Sequence, residues 1–343
     1  MKIAVIGHFG EGHNLVNGQT IKAKNTVAAL SAVDGAEIST VDTYGWKKHP
    51  FRLLFALRRA VKENDAVIML PAHNGVQVFS RVLSFFNRRR STKLYYSVIG
   101  AWLPSLLSDK PALKKVLMRF DGLWVETNTM KNALAAMGFD NLALVPNFKN
   151  ISPICEEEIS DASEGPLRLV IFSRISEAKG VTDAVNAVKS VNEKGCSAVL
   201  DVYGPVEDAY REKFGALLNE NPHIVRYLGV IDSEASVSVL KDYHALLFPT
   251  KSYTEGVPGT IIDAYCAALP VISSMWESYA DICHEGITSL GYEFDSVEAL
   301  EQAISRASEN RVMLAEMKLA ALREGEKYTS RSVSGLLREL IGA

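Results

Sequence analysis

Four charged side chains in the second half of the chain have types and spacing suited to one ligand. Arg174 and Lys179 follow an apolar run, LRLVIF, at residues 167–172. Glu255 stands directly before Gly256-Val257-Pro258-Gly259, and Asp263 lies eight residues after Glu255. Two cations in a loop after a strand suit a diphosphate, with Arg binding bidentately and Lys acting as a point charge. A helix is expected from about Pro258 to Ala268, with the proline in its first turn, where no N–H is needed. A glycine-flanked helix start leaves N–H groups pointing outward at the positive end of the helix dipole, a second seat for an anion. Carboxylates at Glu255 and Asp263 suit hydroxyls, including the vicinal pair of a ribose. Together these are the requirements of a nucleotide sugar. Taken singly, Glu255 also fits a helix-capping acid and Asp263 a solvated helix residue.

The spacing of Glu255 and Asp263, followed by the small-x-Pro-Val-Ile run at Ala268–Ile272, resembles the signature of retaining glycosyltransferases of family 4. Arg174, Lys179, Gly204 and Gly229 match that family in order and spacing, and the likeness is close over about 165–275. Asp263 departs from it, because the family more often carries Glu there. The resemblance implies a GT-B fold: two doubly wound, Rossmann-like α/β domains facing a central cleft, with the last helix crossing back to the first domain. It implies metal-independent transfer of a hexose, with retention, from a nucleotide-diphosphate sugar, a UDP-sugar being favoured. The acceptor would be a saccharide, lipid-linked through a polyprenyl diphosphate, in synthesis of a bacterial capsular or other surface polysaccharide. The nucleotide sugar is then a substrate, and no cofactor is implied.

The same resemblance assigns roles. Arg174, Lys179 and the N–H groups of Gly256, Val257, Pro258 and Gly259 (proline excepted) would surround the diphosphate. Glu255 would hold sugar hydroxyls rather than act as nucleophile, and Asp263 would hold the ribose. Gly204 would let a strand end approach the nucleotide, the backbone after Gly229 would lie near the base, and Gly18 would bring N–H groups to the phosphate or the acceptor. His73 is the candidate beside the reacting sugar, with His8 and His13 as rivals. Trp102 could stack on an acceptor sugar, although packing is the plainer reading. Two other readings stay open: a sugar-nucleotide epimerase of similar fold, and a noncatalytic partner that binds a nucleotide sugar.

The elements that must position these residues alternate along the chain. In the first half strands are expected at 2–6, 36–41, 66–70, 94–99, 122–126 and 142–145, with helices from near Thr20 and over 50–62, 75–87, 109–119 and 128–137. In the second, strands are expected at 167–172, 198–206, 224–232, 245–249 and 269–274. Helices follow from about Val181 and over 295–309, 310–324 and 326–341. Such alternation implies parallel sheets covered on both faces, with ligands at the C-terminal strand ends. The acidic stretch at 151–165 reads as a linker. The expected division is 1–150 as the acceptor-side domain, 166–325 as the nucleotide-sugar domain, and 326–343 as a helix returning to the first domain.

Composition agrees with a globular protein: 343 residues, 48% hydrophobic and 22% charged. The four cysteines are scattered, with no C-x-x-C pair, and no His/Cys/Asp cluster has metal-ligand spacing. Charge is uneven. Residues 1–150 hold 20 Lys and Arg against 10 Asp and Glu, whereas the remainder holds 17 against 30. The excess concentrates in KKHPFRLLFALRRAVK (47–62) and FSRVLSFFNRRRSTK (79–93), where bulky apolar residues alternate with cations. These fit ordinary amphipathic helices, or a surface resting on an anionic membrane. No nucleic-acid recognition motif accompanies them. No apolar run reaches the length of a membrane span. The expected location is the cytoplasm, peripheral on the inner face of the cytoplasmic membrane.

Overall fold

Short apolar runs become strands because they can be buried on both faces only inside a parallel sheet. In the computed structural model the described residues are 1–13, 17–89, 91–160 and 165–342. Arg90 and residues 161–164 of the expected linker lie outside them. The chain divides into two units, Met1–Asn150 with Tyr328–Ala343, and Ile151–Lys327.

The first unit runs β1 (Lys2–Gly7), α1 (Gly18–Ser31), β2 (Glu37–Asp42), α2 (Pro50–Glu63), β3 (Ala66–Met69), α3 (His73–Phe86), β4 (Lys93–Ser97), α4 (Leu103–Asp109), α5 (Pro111–Leu117), β5 (Gly122–Val125), α6 (Asn128–Ala136) and β6 (Leu142–Leu144). Its six strands are parallel, in the order β2-β1-β3-β4-β5-β6. The helix expected over 109–119 is shortened to α5, and a further helix, α4, precedes it, the two parted where Lys110 leaves helical geometry just before Pro111.

The second unit runs β7 (Leu167–Phe172), α7 (Val181–Glu193), β8 (Ala198–Tyr203), α8 (Arg211–Glu220), β9 (Val225–Tyr227), α9 (Ser236–Leu240), β10 (Ala245–Phe248), α10 (Gly259–Cys266), β11 (Val271–Ser274), β12 (Ser289–Tyr292), α11 (Val297–Glu309) and α12 (Arg311–Gly325). Its six parallel strands lie in the order β12-β11-β10-β7-β8-β9. The order reverses between β7 and β10, and ligands of such sheets bind at the strand ends beside that reversal. The strand expected over 224–232 is cut to β9, since the chain leaves the sheet after Tyr227. β12, α8 and α9 are elements that the sequence pattern does not announce.

The described part of 151–165 lies on the second unit. Ile154 N–H donates to the Cys266 carbonyl at 2.9 Å, and the Lys318 ammonium donates to the Ser160 carbonyl at 3.0 Å and its hydroxyl at 2.9 Å. The last helix, α13 (Ser330–Ile341), belongs to the first unit. There Val333, Leu337 and Ile341 join Ile3, Val5, Leu30 and Ile68 in one core layer, and Tyr95 OH donates to the Leu340 carbonyl at 3.1 Å. Leu53, Leu57, Phe79 and Leu83 fill the layer on the opposite face of the sheet.

Gly204 explains itself at this level. Its φ is 136°, and a Cβ there would stand 1.8 Å from the Ser173 carbonyl oxygen. The ends of β7 and β8 can approach only if residue 204 has no side chain. Gly204→Ala is expected to cost about 3 kcal/mol or more, read as a lowered urea midpoint.

Candidate functional site

The loops that follow β7 and β10 are stitched together. Lys251 N–H donates to the Ala178 carbonyl at 3.0 Å. Gly180 has φ 68°, and a Cβ there would lie 1.8 Å from the Pro249 carbonyl oxygen. This contact carries Lys179 to Glu255: its ammonium donates to Glu255 Oε1 and lies 5.6 Å from the centroid of the Phe248 ring. The same carboxylate oxygen accepts from Thr250 Oγ1 at 3.0 Å. Thr260 Oγ1 in turn donates to the Phe172 carbonyl, fastening the first turn of α10 to the end of β7. Arg174 is exposed, and no hydrogen bond or ion pair engages its guanidinium among the described residues. One cation held by a carboxylate thus lies beside a helix start at the reversal point of the sheet, and Arg174 stands in the same loop as that cation. Such an arrangement can bind an anion and orient hydroxyls beside it.

The helix start differs from the expected one. Pro258 is the N-cap, with φ −69° and ψ 127°, and α10 begins at Gly259. Its extended ψ keeps the proline out of the helix, while its carbonyl accepts from Ile261 N–H at 3.0 Å and Ile262 N–H at 3.3 Å. Gly256, Val257 and Pro258 are buried. Asp263 departs from expectation too. It is 1% exposed, and its carboxylate accepts from Ser236 Oγ at 2.9 Å, tying α9 to α10. The reason is that α10 is buried all round from Ile261 to Cys266, so no position there faces solvent.

Gly204 N–H donates to the Gly229 carbonyl at 2.8 Å, so the two glycines are joined by their backbones. Gly229 has φ 83° and open space around it. Leu228 and Val230 on either side are exposed, at 43% and 58%.

In the first unit the sheet order reverses between β1 and β3, and the loops beyond them carry the histidines. His73 is exposed in the first turn of α3, and its ring centroid lies 5.3 Å from that of Trp102. The structure therefore pairs those two candidates. His8 and His13 form a different group: both rings contact Tyr44, at 5.4 and 4.7 Å, and His8 Nδ1 bonds Thr20 Oγ1 at 2.9 Å. Asp42 holds this loop by accepting N–H bonds from Phe9, Glu11 and Tyr44. Burial opposes its charge, yet those N–H groups keep its carboxyl below the usual value. Gly18 opens α1 behind the cap Asn17, whose side chain accepts from Thr20 N–H at 3.0 Å. A Cβ at Gly18 would meet nothing within 4 Å among the described residues.

Thr250, Phe248, Thr260, Gly180 and Tyr44 went unselected in the sequence. Gly180, just before a helix, carried a weak signal, and the others none. Among the described residues no group of three or more His, Cys, Asp or Glu side chains is placed to hold a metal ion. None of their helices is long and apolar enough to cross a membrane.

Residues 156–324 match the family model of glycosyl transferases group 1. A curated relative, the amylovoran biosynthesis glycosyltransferase AmsK of Erwinia amylovora, is 21% identical over 168 residues, covering 48% of this chain and 41% of that protein. The chain thus matches less than half the length of that relative. Among solved structures, sucrose-phosphate synthase from Thermosynechococcus elongatus superposes with a TM-score of 0.78 at 14% identity, over 99% of this chain and 98% of that one. Anabaena HepE in complex with UDP gives 0.77 at 12% identity, over 100% of both chains. These likenesses carry the fold, and the family match carries the second unit. Residues 156–324, just under half of the chain, match the glycosyl transferases group 1 model, and the chain as a whole has a GT-B fold of two six-stranded parallel sheets.

Proposed function

We propose that the protein is a retaining, metal-independent glycosyltransferase of the family 4 type. It moves a hexose from a nucleotide-diphosphate sugar to a saccharide acceptor. The observation that carries this reading is the pairing of Lys179 with Glu255 beside the α10 start at the reversal point of the second sheet, with Arg174 in the same loop as Lys179. The diphosphate is assigned to Arg174, Lys179 and the first N–H groups of α10. As the glycosidic C–O bond lengthens, negative charge grows on the leaving phosphate, and donors already aimed there stabilise it. Each such donor typically contributes about 3–4 kcal/mol. Glu255 anchors Lys179 through Oε1 and offers its second oxygen to sugar hydroxyls. The base lies against Leu228, Gly229 and Val230.

UDP is the favoured nucleotide, supported by the complexes of Anabaena HepE with UDP and with UDP-glucose. The acceptor is assigned to the first unit, with His73 and Trp102 as its candidate histidine and stacking ring. A lipid-linked saccharide of a bacterial surface polysaccharide is the acceptor class proposed, in keeping with the amylovoran relative.

The test is calorimetric binding of UDP, GDP and ADP in EDTA. UDP is expected to bind without metal, and Arg174→Ala to weaken it by roughly 10- to 100-fold, the effect of losing a charge-assisted hydrogen bond. Failure of all three nucleotides to bind would sink the reading.

A further inference from the structure

The basic segments of the first unit form one surface that the donor site does not use. α2 and α3 pack side by side on one face of the first sheet. In α2 the buried residues are Leu53, Leu57, Ala60 and Val61. On the opposite side, at helical spacing, stand Phe51, Phe55, Arg58 and Lys62, all exposed. Phe51 is 75% exposed and Phe55 67%. In α3 the buried residues are Val76, Phe79, Ser80 and Leu83, besides Gly75. The outward stripe is Val78, Arg81, Phe85 and, just past the helix, Arg88, again all exposed. Phe85 is 55% exposed, and the Arg88 guanidinium lies 4.2 Å from its ring centroid.

Ordinary surface helices bury their aromatic residues and expose their charges. Here both helices bury apolar residues on their inner sides and then repeat apolar residues on the outer side, interleaved with cations. Residues 43–89 hold nine Lys and Arg but only two acids, Glu63 and Asp65. Glu63 pairs with Arg59, leaving the stripe cations unneutralised.

We propose that the outer face of α2 and α3 seats this protein on an anionic phospholipid surface, with Phe51, Phe55 and Phe85 entering the acyl boundary and the flanking cations at the phosphates. The chemistry selects this occupant. A nucleic-acid duplex would engage the cations and leave the phenylalanines in water. A second copy meeting the same face would bring like charges together. An anionic lipid interface satisfies both, because Arg and Lys can lay their stems along the apolar layer and keep their heads at the phosphates. The proposal extends the lipid-linked acceptor reading above, since a lipid-linked acceptor is presented at such a surface, but its test is independent of the donor.

The full chain is sedimented with vesicles of phosphatidylcholine, alone or with about a third phosphatidylglycerol. Binding is expected only to the anionic vesicles and is expected to fall with added salt. Phe51→Ser with Phe55→Ser is expected to lower partitioning at least about tenfold. Arg58→Gln, Lys62→Gln and Arg88→Gln are expected to lower it by about fivefold each. Lys189→Gln, an exposed cation of the second unit, should leave it unchanged, and all variants should keep wild-type UDP affinity. Arg174→Ala should sediment as wild type while losing UDP, so the two readings fail separately. Equal binding to neutral vesicles, no binding, or unchanged binding of the Phe variant would overturn the proposal. So would a wild-type dimer that Phe51→Ser with Phe55→Ser makes monomeric, because the occupant would then be a second copy.

Discussion

Lys179→Ala is expected to lower donor turnover by two to three orders of magnitude, the usual effect of removing one preorganised donor to a leaving group. It should also weaken UDP binding more than Arg174→Ala does. The reason lies in the partner. Arg174 stands alone, so its loss removes one cation. Lys179 is paired with Glu255, whose side chain is 18% exposed. Removing the ammonium leaves that carboxylate with the Thr250 hydroxyl and its negative charge facing the incoming diphosphate. Lys179→Ala combined with Glu255→Gln should therefore recover part of the lost UDP affinity, although not the turnover. A double-mutant cycle by calorimetry, with UDP release from the donor as the kinetic readout, checks both. Simple additivity of the two substitutions would show that Glu255 and Lys179 act apart.

The second large effect concerns folding. Glu126→Ala is expected to destabilise the first unit by about 3–5 kcal/mol, the cost of stranding one member of a buried ion pair. Lys22 of α1 and Glu126, just beyond β5, have side chains only 3% exposed each. The ammonium donates to Glu126 and, at 2.8 Å, to the Val98 carbonyl beyond β4. This draws α1 across the ends of β4 and β5, and α1 follows the loop that carries His8 and His13. Without the carboxylate, the ammonium would be buried with one neutral acceptor. Lys22→Met with Glu126→Gln removes both charges and should restore most of the stability, since apolar replacements of buried pairs are often neutral. Urea denaturation of the single and double variants decides this. A loss under about 1 kcal/mol for Glu126→Ala would mean that water reaches the site.

Much of the fold was legible because its signals are local. Runs such as AVIML at 66–70 and ALLFP at 245–249 are too short and too apolar for anything but buried strands among helices, and their alternation with helical stretches implies parallel sheets. The break at Lys110, before Pro111, was not read, although a proline imposes it. Weak elements were not legible either. β12 has the sequence SLGY, with a glycine inside it, and α9 has only five residues. Their structure comes from the neighbours they pack against rather than from their own propensities.

The candidate site divides in the same way. Residue types and spacing singled out Arg174, Lys179 and Glu255 as candidates, since a diphosphate demands fixed cations beside a helix start. Their joining could not be read from the sequence. It depends on two backbone contacts, Gly180 against Pro249 and Lys251 N–H on the Ala178 carbonyl, between segments some seventy residues apart. Asp263 shows the converse. Its spacing from Glu255 suggested a ligand group, but a helix packed along its length turned the carboxylate inward to Ser236. The basic segments show it once more: composition made them amphipathic, and only the packing of α2 and α3 showed that Phe51, Phe55 and Phe85 were left outside. Sequence determines which chemistry a chain carries and which stretches must be buried. Tertiary structure decides which of those groups meet, because long-range contacts depend on the sum of many weak burials that no single stretch contains.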